Sequence, residues 1–291
     1  MGSCLRRCKR LNIAMIEQST EALAVSSPYI QLFRSELKLG LLSSLLRGEK
    51  RLSALREELG SSGSTIIHAL NDLEAMNLTQ QTDKYYKLTP LGVIEAQLIE
   101  EVSSTVEVLE KFSDFWLRHD ITAIPNHLLR RMGALRDSNL IQDDSTELDR
   151  VHLTFKQLLL SSRRVRGVSP IFHSDFIGAF QLMLSEGATV DLVLSRGVLD
   201  KTLTLADTRQ ILDYVERDRL RIFVADELRV ALTVTENSFS MGLFSLNGEY
   251  DYSRDLVSSS PRAIEWGGEL YQHFLKDAER LKLSDLGLDD S

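Results

Sequence analysis

The chain has 291 residues, 43% of them apolar and 26% charged, with a formal net charge of −8. That length corresponds to about two domains, and the composition excludes a collagen-like or wholly disordered chain. No run approaches the roughly 18 apolar residues of a membrane-spanning helix, so no membrane partner is expected and the predicted compartment is the cytoplasm. The charge is unevenly spread: residues 1–100 hold 12 Lys and Arg against 11 Asp and Glu, and residues 101–291 hold 22 against 31. An acidic body with a near-neutral N-terminal third leaves room for a local basic surface.

Residues 1–27 read as a basic, disordered leader. Both cysteines, Cys4 and Cys8, lie in it beside Arg6, Arg7, Lys9 and Arg10. Nothing later in the chain could form a disulfide, which points to a reducing compartment. The neighbouring cations would lower a thiol pKa and permit a redox-responsive pair. A frayed tail whose thiols have no structural role is the plainer reading. Further metal ligands are lacking nearby, and the residues after the arginines are not those of a signal peptide. Arg6 stands where acylation at Gly2 would need Ser or Thr. Met15 offers an alternative start.

Residues 28–90 read as a winged helix-turn-helix. Leu37, Leu41, Leu42, Leu45 and Leu46 recur at helical spacing up to Gly48. Arg51-Leu52 reads as a short extended link, and Ser53 as the cap of a second helix through Leu59. After the turn at residues 60–63, a third helix is predicted from Ser64 to about Met76, with Ile66, Leu70 and Leu73 on one face. Asn77 suits a left-handed ending. Two short strands, residues 78–82 and 85–88, follow around Asp83-Lys84, and Thr89-Pro90 opens another helix.

That order of elements is the winged helix. Its third helix leaves Ser62, Ser64, Thr65, Ile67, His68 and Asn71 free near the N-terminal half. Small hydroxyl side chains let a helix sink into a major groove about 12 Å wide and can bond phosphates at the positive helix end. Lys84 and Lys87 beside Tyr85 and Tyr86 read as a backbone clamp, with Arg47, Lys50, Arg51 and Arg56 as further phosphate contacts. Double-stranded DNA is the expected partner. The helix carries no Arg or Lys, which argues against guanine reading, and a protein-binding winged helix is the competing interpretation.

Residues 91–137 read as a helical connector. Leu91, Ile94, Leu98, Val102, Thr105, Val106, Leu109, Phe112 and Trp116 advance by three or four, predicting one amphipathic helix to about His119. Such a stripe packs on the next domain or pairs with a second copy, and a homodimer would match two half-sites. Residues 138–291 then alternate strands and helices: strands at 140–142, 164–168, 189–194, 220–224, 230–234 and 238–244, helices at 146–161, 173–185, 208–217 and 261–283. The fold class is thus mixed α+β and α/β: a winged helix, a long connector helix and a C-terminal α/β sensing domain with a mixed sheet.

The runs Val168-Ser-Pro-Ile-Phe-His173, Gly242-Leu-Phe244, Gly248-Glu-Tyr-Asp251 and Trp266-Gly-Gly-Glu-Leu270 resemble those of the archaeal methanogenesis regulatory (filament-regulator) winged-helix transcription factors. Leu88-Thr-Pro-Leu-Gly92 is similar too, though many winged helices share it. The resemblance runs from about Leu37 to Leu281. It implies a sequence-specific regulator with a C-terminal sensing domain and does not identify a signal. The wing turn, Asp83-Lys84 alone, is shorter than in many relatives, and the cysteine-bearing leader is outside the family pattern.

No catalytic motif stands out: there is no Gly-x-Ser-x-Gly elbow, His-Glu-x-x-His or Gly-x-x-x-x-Gly-Lys. No enzyme activity, cofactor or metal is expected. His173, just after a strand, reads either as a helix cap or as a ligand contact, the cap being favoured. Ser195 and Arg196 after the next strand, Asp226 after Val224, and the polar-aromatic cluster Tyr250, Asp251, Tyr252 and Arg254 are the other candidate effector contacts. The expected function is a dimeric DNA-binding transcriptional regulator whose α/β domain senses a small-molecule effector. Two alternatives remain open: a C-terminal domain that only recruits protein, and an enzyme with an accessory winged helix.

Overall fold

The computed structural model describes residues 32–281 apart from Ser145 and Glu147. The expectations for residues 1–27, including Cys4, Cys8 and Met15, lie outside the described residues. The chain divides into two compact units, residues 1–102 and 103–291.

In the first unit, α1 (Glu36–Leu46) starts at Ser35, whose hydroxyl accepts from the Lys38 N–H at 3.4 Å. α2 (Leu52–Leu59) ends at Gly60 in the left-handed conformation, and α3 (Gly63–Ala75) is capped by Ser62, which accepts from the Thr65 N–H at 3.2 Å. Ser53 is not a cap: α2 begins one residue earlier, with Arg51 at its N-cap and no side-chain bond there. Lys50–Arg51 is also more than a link. It forms β1, paired antiparallel with β3 (Tyr85–Leu88), which pairs in turn with β2 (Thr79–Thr82). Leu41, Leu42, Leu55, Ile66, Leu70, Leu73 and Leu78 are fully buried among these elements; each such side chain contributes about 1.5–3 kcal/mol.

The run Leu88-Thr-Pro-Leu-Gly92 has a physical basis here. The Thr89 hydroxyl donates to the Asn77 carbonyl at 2.6 Å and accepts from the Gly92 N–H at 3.0 Å, fixing the start of α4 (Pro90–Lys111) against the end of α3. Asn77 takes the left-handed conformation that turns the chain into the wing, with φ of 59°. Gly92 rests on the Leu78 carbonyl, where a Cβ would come within 1.8 Å of the oxygen.

The predicted single connector helix is interrupted. α4 ends at Lys111, Phe112 leaves helical geometry with ψ of 27°, and a second helix, α5 (Ser113–Arg118), follows. The break turns Phe112 and Phe115 into the core of the second unit, beside Val108. Packing thus overrides the continuous helical pattern. After a short helix, α6 (Asn126–Leu129), the sheet of that unit begins with β4 (Asn139–Gln142).

The remaining order is α7 (Arg150–Leu160), β5 (Arg164–Ser169), α8 (Ser174–Ser185), β6 (Thr189–Ser195), α9 (Arg196–Leu205), α10 (Thr208–Glu216), β7 (Leu220–Ala225), β8 (Val230–Thr235), β9 (Phe239–Leu243), β10 (Arg254–Ser258), α11 (Pro261–Lys276) and β11 (Glu279–Arg280). The eight strands lie in the order β11-β7-β6-β5-β8-β9-β10-β4. β5, β6 and β7 are parallel, joined through helices, and all other pairings are antiparallel. The fold is therefore mixed α+β with a mixed sheet. Helix α9 and strand β10 have no counterpart in the sequence reading, and α11 stops at Lys276 because the chain turns into β11.

Strand alternation divides the sheet's two faces. Val168, Val193, Val230, Leu232, Phe239, Met241 and Leu256 face one core with α11. There the Trp266 Nε1–H donates to the Leu128 carbonyl at 3.0 Å, and Gly267 lies where a Cβ would strike the Phe239 ring at 2.4 Å. The opposite face carries Val165, Val190, Leu194 and Ile222 against α7–α10. Toward β8, β9 and β10 its residues become small or polar: Ala231, Thr233, Ser240, Gly242 and Asp255.

Candidate functional site

On the first unit, the residues predicted to read DNA share one exposed face. Ser62, Ser64, Thr65, Ile67, His68 and Asn71 of α3 are all exposed, while Ile66, Ala69, Leu70 and Leu73 are buried. Ser62 also bonds the Ser64 and Thr65 hydroxyls at 2.9 and 2.7 Å, so the helix start presents a cluster of small hydroxyls. In the wing Lys84 is exposed and Tyr85 and Lys87 half-buried, and the Arg51 guanidinium lies over the Tyr85 ring at 4.8 Å. Two expected phosphate contacts are otherwise engaged. Arg47 and Lys50 both pair with Glu58, which also accepts from Ser44 Oγ at 2.7 Å. The Lys50, Ser44 and Arg47 bonds hold the Glu58 carboxyl at about 2, so it stays ionised and offsets those cations.

On the second unit, the small side chains of the sheet face leave a cavity of about 580 Å3 beneath α7, α8 and α10. Gly167, Ala231 and Thr233 form part of its floor, and Phe155, Phe176 and Phe180 its aromatic wall. This volume lies within the roughly 300–1,000 Å3 of small-molecule sites. His152, His173 and Asp175 line it together. His152 Nε2 lies 3.4 Å from Asp175 Oδ2, and the His152 and His173 rings are 4.3 Å apart. Each of the three offers one ligand atom within 4.8 Å of the others, so this group could hold a metal ion.

The cavity's other polar end is Asp255, Ser240, Tyr250 and Tyr252. Ser240 Oγ donates to Asp255 Oδ2 at 3.0 Å. Burial pushes the Asp255 carboxyl up to about 7, with the Ser240 and Tyr250 hydroxyls opposing it and the carboxylates of Asp251 and Asp143 adding to it. Burial likewise raises the Tyr250 phenol well above its ordinary value.

Two family models match the chain: the N-terminal domain of the methanogenesis regulatory protein FilR1 over residues 30–107, and the middle domain of the same protein over residues 148–277. Methanogenesis regulatory protein FilR1 of Methanothrix harundinacea (strain 6Ac) is 30% identical over 259 residues, 87% of this chain and 57% of that protein. The chain belongs to the FilR1 family. It spans little more than half the length of that relative. Among solved structures, TrmBL2, described as an archaeal chromatin protein with a novel mode of DNA binding, is 14% identical with a TM-score of 0.41, covering 82% of this chain and 92% of that one. The phospholipase D family member Nuc from Salmonella typhimurium is 13% identical with a TM-score of 0.36, covering 50% of this chain and 97% of that one.

In this member of the FilR1 family, the structure brings only some of the predicted effector residues together. His173, Tyr250 and Tyr252 all line the cavity. His173 also caps α8, accepting from the Asp175 N–H at 3.3 Å, so the cap and the cavity wall are one residue. Ser195 and Arg196 do not line it; they mark the start of α9, with Arg196 exposed. Asp251 and Arg254 form a separate cluster. Arg254 Nη1 donates to Asp251 Oδ2 at 3.0 Å, and the buried His119 ring reaches the same oxygen at 3.1 Å. Burial works against Asp251 ionising, but the Ser253 and Arg254 bonds outweigh it and hold its carboxyl below the usual range.

Sequence reasoning missed His152, Asp175 as a partner of His152, Ser240 and Asp255. Ser240 and Asp255 carry one available signal, polar residues at buried alternating positions of apolar strands. For His152 and Asp175 the spacing carries none, since they meet only when α7 packs on α8.

Proposed function

We propose that this protein is a DNA-binding transcriptional regulator that acts as a homodimer and whose second unit binds a small-molecule effector. The observation that carries the DNA reading is the exposed, hydroxyl-rich face of α3 beside the wing residues Lys84, Tyr85 and Lys87. Membership of a family of regulatory proteins supports it. In this reading α3 enters the major groove, Thr65, His68 and Asn71 meet base edges, and the wing holds phosphates. The acidity of residues 101–291 limits non-specific binding.

The dimer reading rests on α4. Leu91, Ile94, Leu98, Val102, Val106 and Leu109 are each between 42% and 57% exposed along one stripe, while Ala96 and Ile99 fill the first core and Val108 the second. A row of large apolar side chains at helical spacing has the form of a helix-pairing seam. Effector binding in the cavity would act on that seam, because the end of α4 is built into the core of the second unit. The reading is of a cytoplasmic regulator and not an enzyme; among the described residues no helix is long and apolar enough to cross a membrane.

The test is an anisotropy titration of the full chain on duplex DNA from its own upstream region. Lys84→Ala with Lys87→Ala should weaken binding to all sequences alike. Thr65→Ala with His68→Ala should act mainly on the specific site, by about tenfold or more. Unchanged affinity in both variants would overturn the DNA reading.

A further inference from the structure

The cavity ends on a carboxyl group that the protein leaves half-satisfied. Asp255 is 7% exposed and lines the cavity. Its Oδ2 is bonded by Ser240, whereas Oδ1 has no hydrogen-bond partner. The Tyr250 hydroxyl approaches the same carboxyl and favours its ionised form without satisfying Oδ1, in space that exists only because residue 242 is glycine. A Cβ there would lie 2.1 Å from the Tyr250 hydroxyl and 2.4 Å from Asp255 Oδ1. Tyr252 meets Tyr250 edge-on, with ring centroids 4.8 Å apart.

The charge around the cavity is one-sided. Among the described residues, Asp143, Asp149, Asp175 and Asp255 line it against Lys156 as the single lysine. A buried, unpaired carboxyl oxygen is costly until it meets a countercharge or keeps a proton. Aromatic rings add attraction for a cation and none for an anion.

We propose that the cavity binds an organic amine, an apolar or aromatic body carrying one protonated nitrogen that pairs with Asp255 Oδ1 beside the Tyr250 and Tyr252 rings. The proposal rests on the effector reading above and names the chemical class of the effector. An anionic molecule of the same shape is rejected by the aspartates.

Pairing with an ammonium group needs Asp255 ionised. Its carboxyl is held at about 7 by burial, and the charged and titratable groups around it set that balance. Those that act on it are Asp143 beyond β4 and Tyr250 and Asp251 on the segment leading into β10. Also facing the cavity are Tyr252 on that segment, His152 and Lys156 on α7, and His173 and Asp175 at the start of α8, while Arg254 at the start of β10 pairs with Asp251. Below that pH each amine that binds displaces one proton from Asp255 to solvent.

The experiment is calorimetry on the full chain with three probes sharing one body: phenylbutylamine, phenylbutanol and phenylbutyrate. The amine should bind at least tenfold more tightly than the alcohol at pH 8, and the acid should not bind. Between pH 6 and pH 8 the amine affinity should rise about tenfold, with close to one proton released at pH 6 in buffers of different ionisation enthalpy. Asp255→Asn should remove both the preference and the pH dependence while leaving the alcohol unchanged. The proposal is overturned if the alcohol or the acid binds as well as the amine, if Asp255→Asn leaves amine affinity intact, or if none of the three binds at millimolar concentration. The effector reading is judged separately. An amine that binds without altering DNA affinity refutes sensing and leaves the amine site standing, whereas DNA affinity that responds to the alcohol refutes only the amine class.

Discussion

Replacing Asp255 by Asn should remove a loss of stability that the second unit suffers as pH rises. The carboxyl titrates near 3.8 when unfolded and at about 7 in the fold, because it is buried among other carboxylates. Between those values the folded state holds a proton that the unfolded state has lost, so stability falls as pH rises. For a raised acid the favourable contribution is present at low pH and gone above the folded pKa. Integrated from pH 5 to pH 8, the loss is about 2.5 kcal/mol, from roughly 1.4 kcal/mol per pKa unit. Asparagine has no proton to lose and can still accept from Ser240. The assay is urea unfolding followed by tryptophan fluorescence, since Trp116 and Trp266 both lie in the second unit. Wild type should lose about 2.5 kcal/mol relative to Asp255→Asn between the two pH values. The depressed carboxyls of Glu58, Asp120 and Asp251 titrate below this window and do not mask the effect. Parallel curves for the two proteins would refute the assignment of a buried, proton-holding carboxyl.

Other substitutions separate the two units. Gly92→Ala places a methyl group 1.8 Å from the Leu78 carbonyl oxygen and should cost about 3 kcal/mol or more in the first unit. DNA binding should be lost while the tryptophan-monitored transition of the second unit stays where it was; full DNA affinity would contradict that packing. Leu98→Glu with Val102→Glu changes side chains that are 52% and 48% exposed, so folding should be spared. Sedimentation should show the dimer replaced by monomer and DNA affinity reduced at least tenfold, and a retained dimer would remove α4 as the pairing seam.

The winged helix was legible in the sequence because its signals are local. Asn77 ends the third helix and Pro90 opens the next through their own local geometry, and the Ile66, Leu70, Leu73 face follows from helical period alone. The cap at Ser62 and the bond from Thr89 back to Asn77 appear only in the structure. The pairing of β1 with the wing was not legible, since Lys50-Arg51 is too short to carry a strand pattern and is extended only through its contact with Tyr85 and Tyr86. The break at Phe112 was hidden for the same reason: the apolar period continues through it, and only the core around Val108 and Phe115 decides where the chain turns. Strand β10 escaped because Asp255 and Arg254 resemble loop residues when read alone. Of the cavity, His173 could be found as a residue just after a strand, and Tyr250 and Tyr252 as part of a polar-aromatic cluster. Asp255 and Ser240 left only a weak trace, polar residues within apolar strands, because their pairing comes from β9 and β10 lying side by side.

The central claim is that a small local surface on an otherwise acidic protein reads DNA. Among the described residues, Arg51, Arg56, Lys84 and Lys87 are the cations at that surface that Glu58 does not engage, four per winged helix and eight in the proposed dimer. Binding of the full chain to its own upstream duplex, titrated from 50 to 300 mM salt, should therefore show log K falling against log salt with a slope between about −3.5 and −7. An unrelated duplex should bind more weakly throughout. No binding at the lowest salt, or affinity that does not change with salt, would contradict the account.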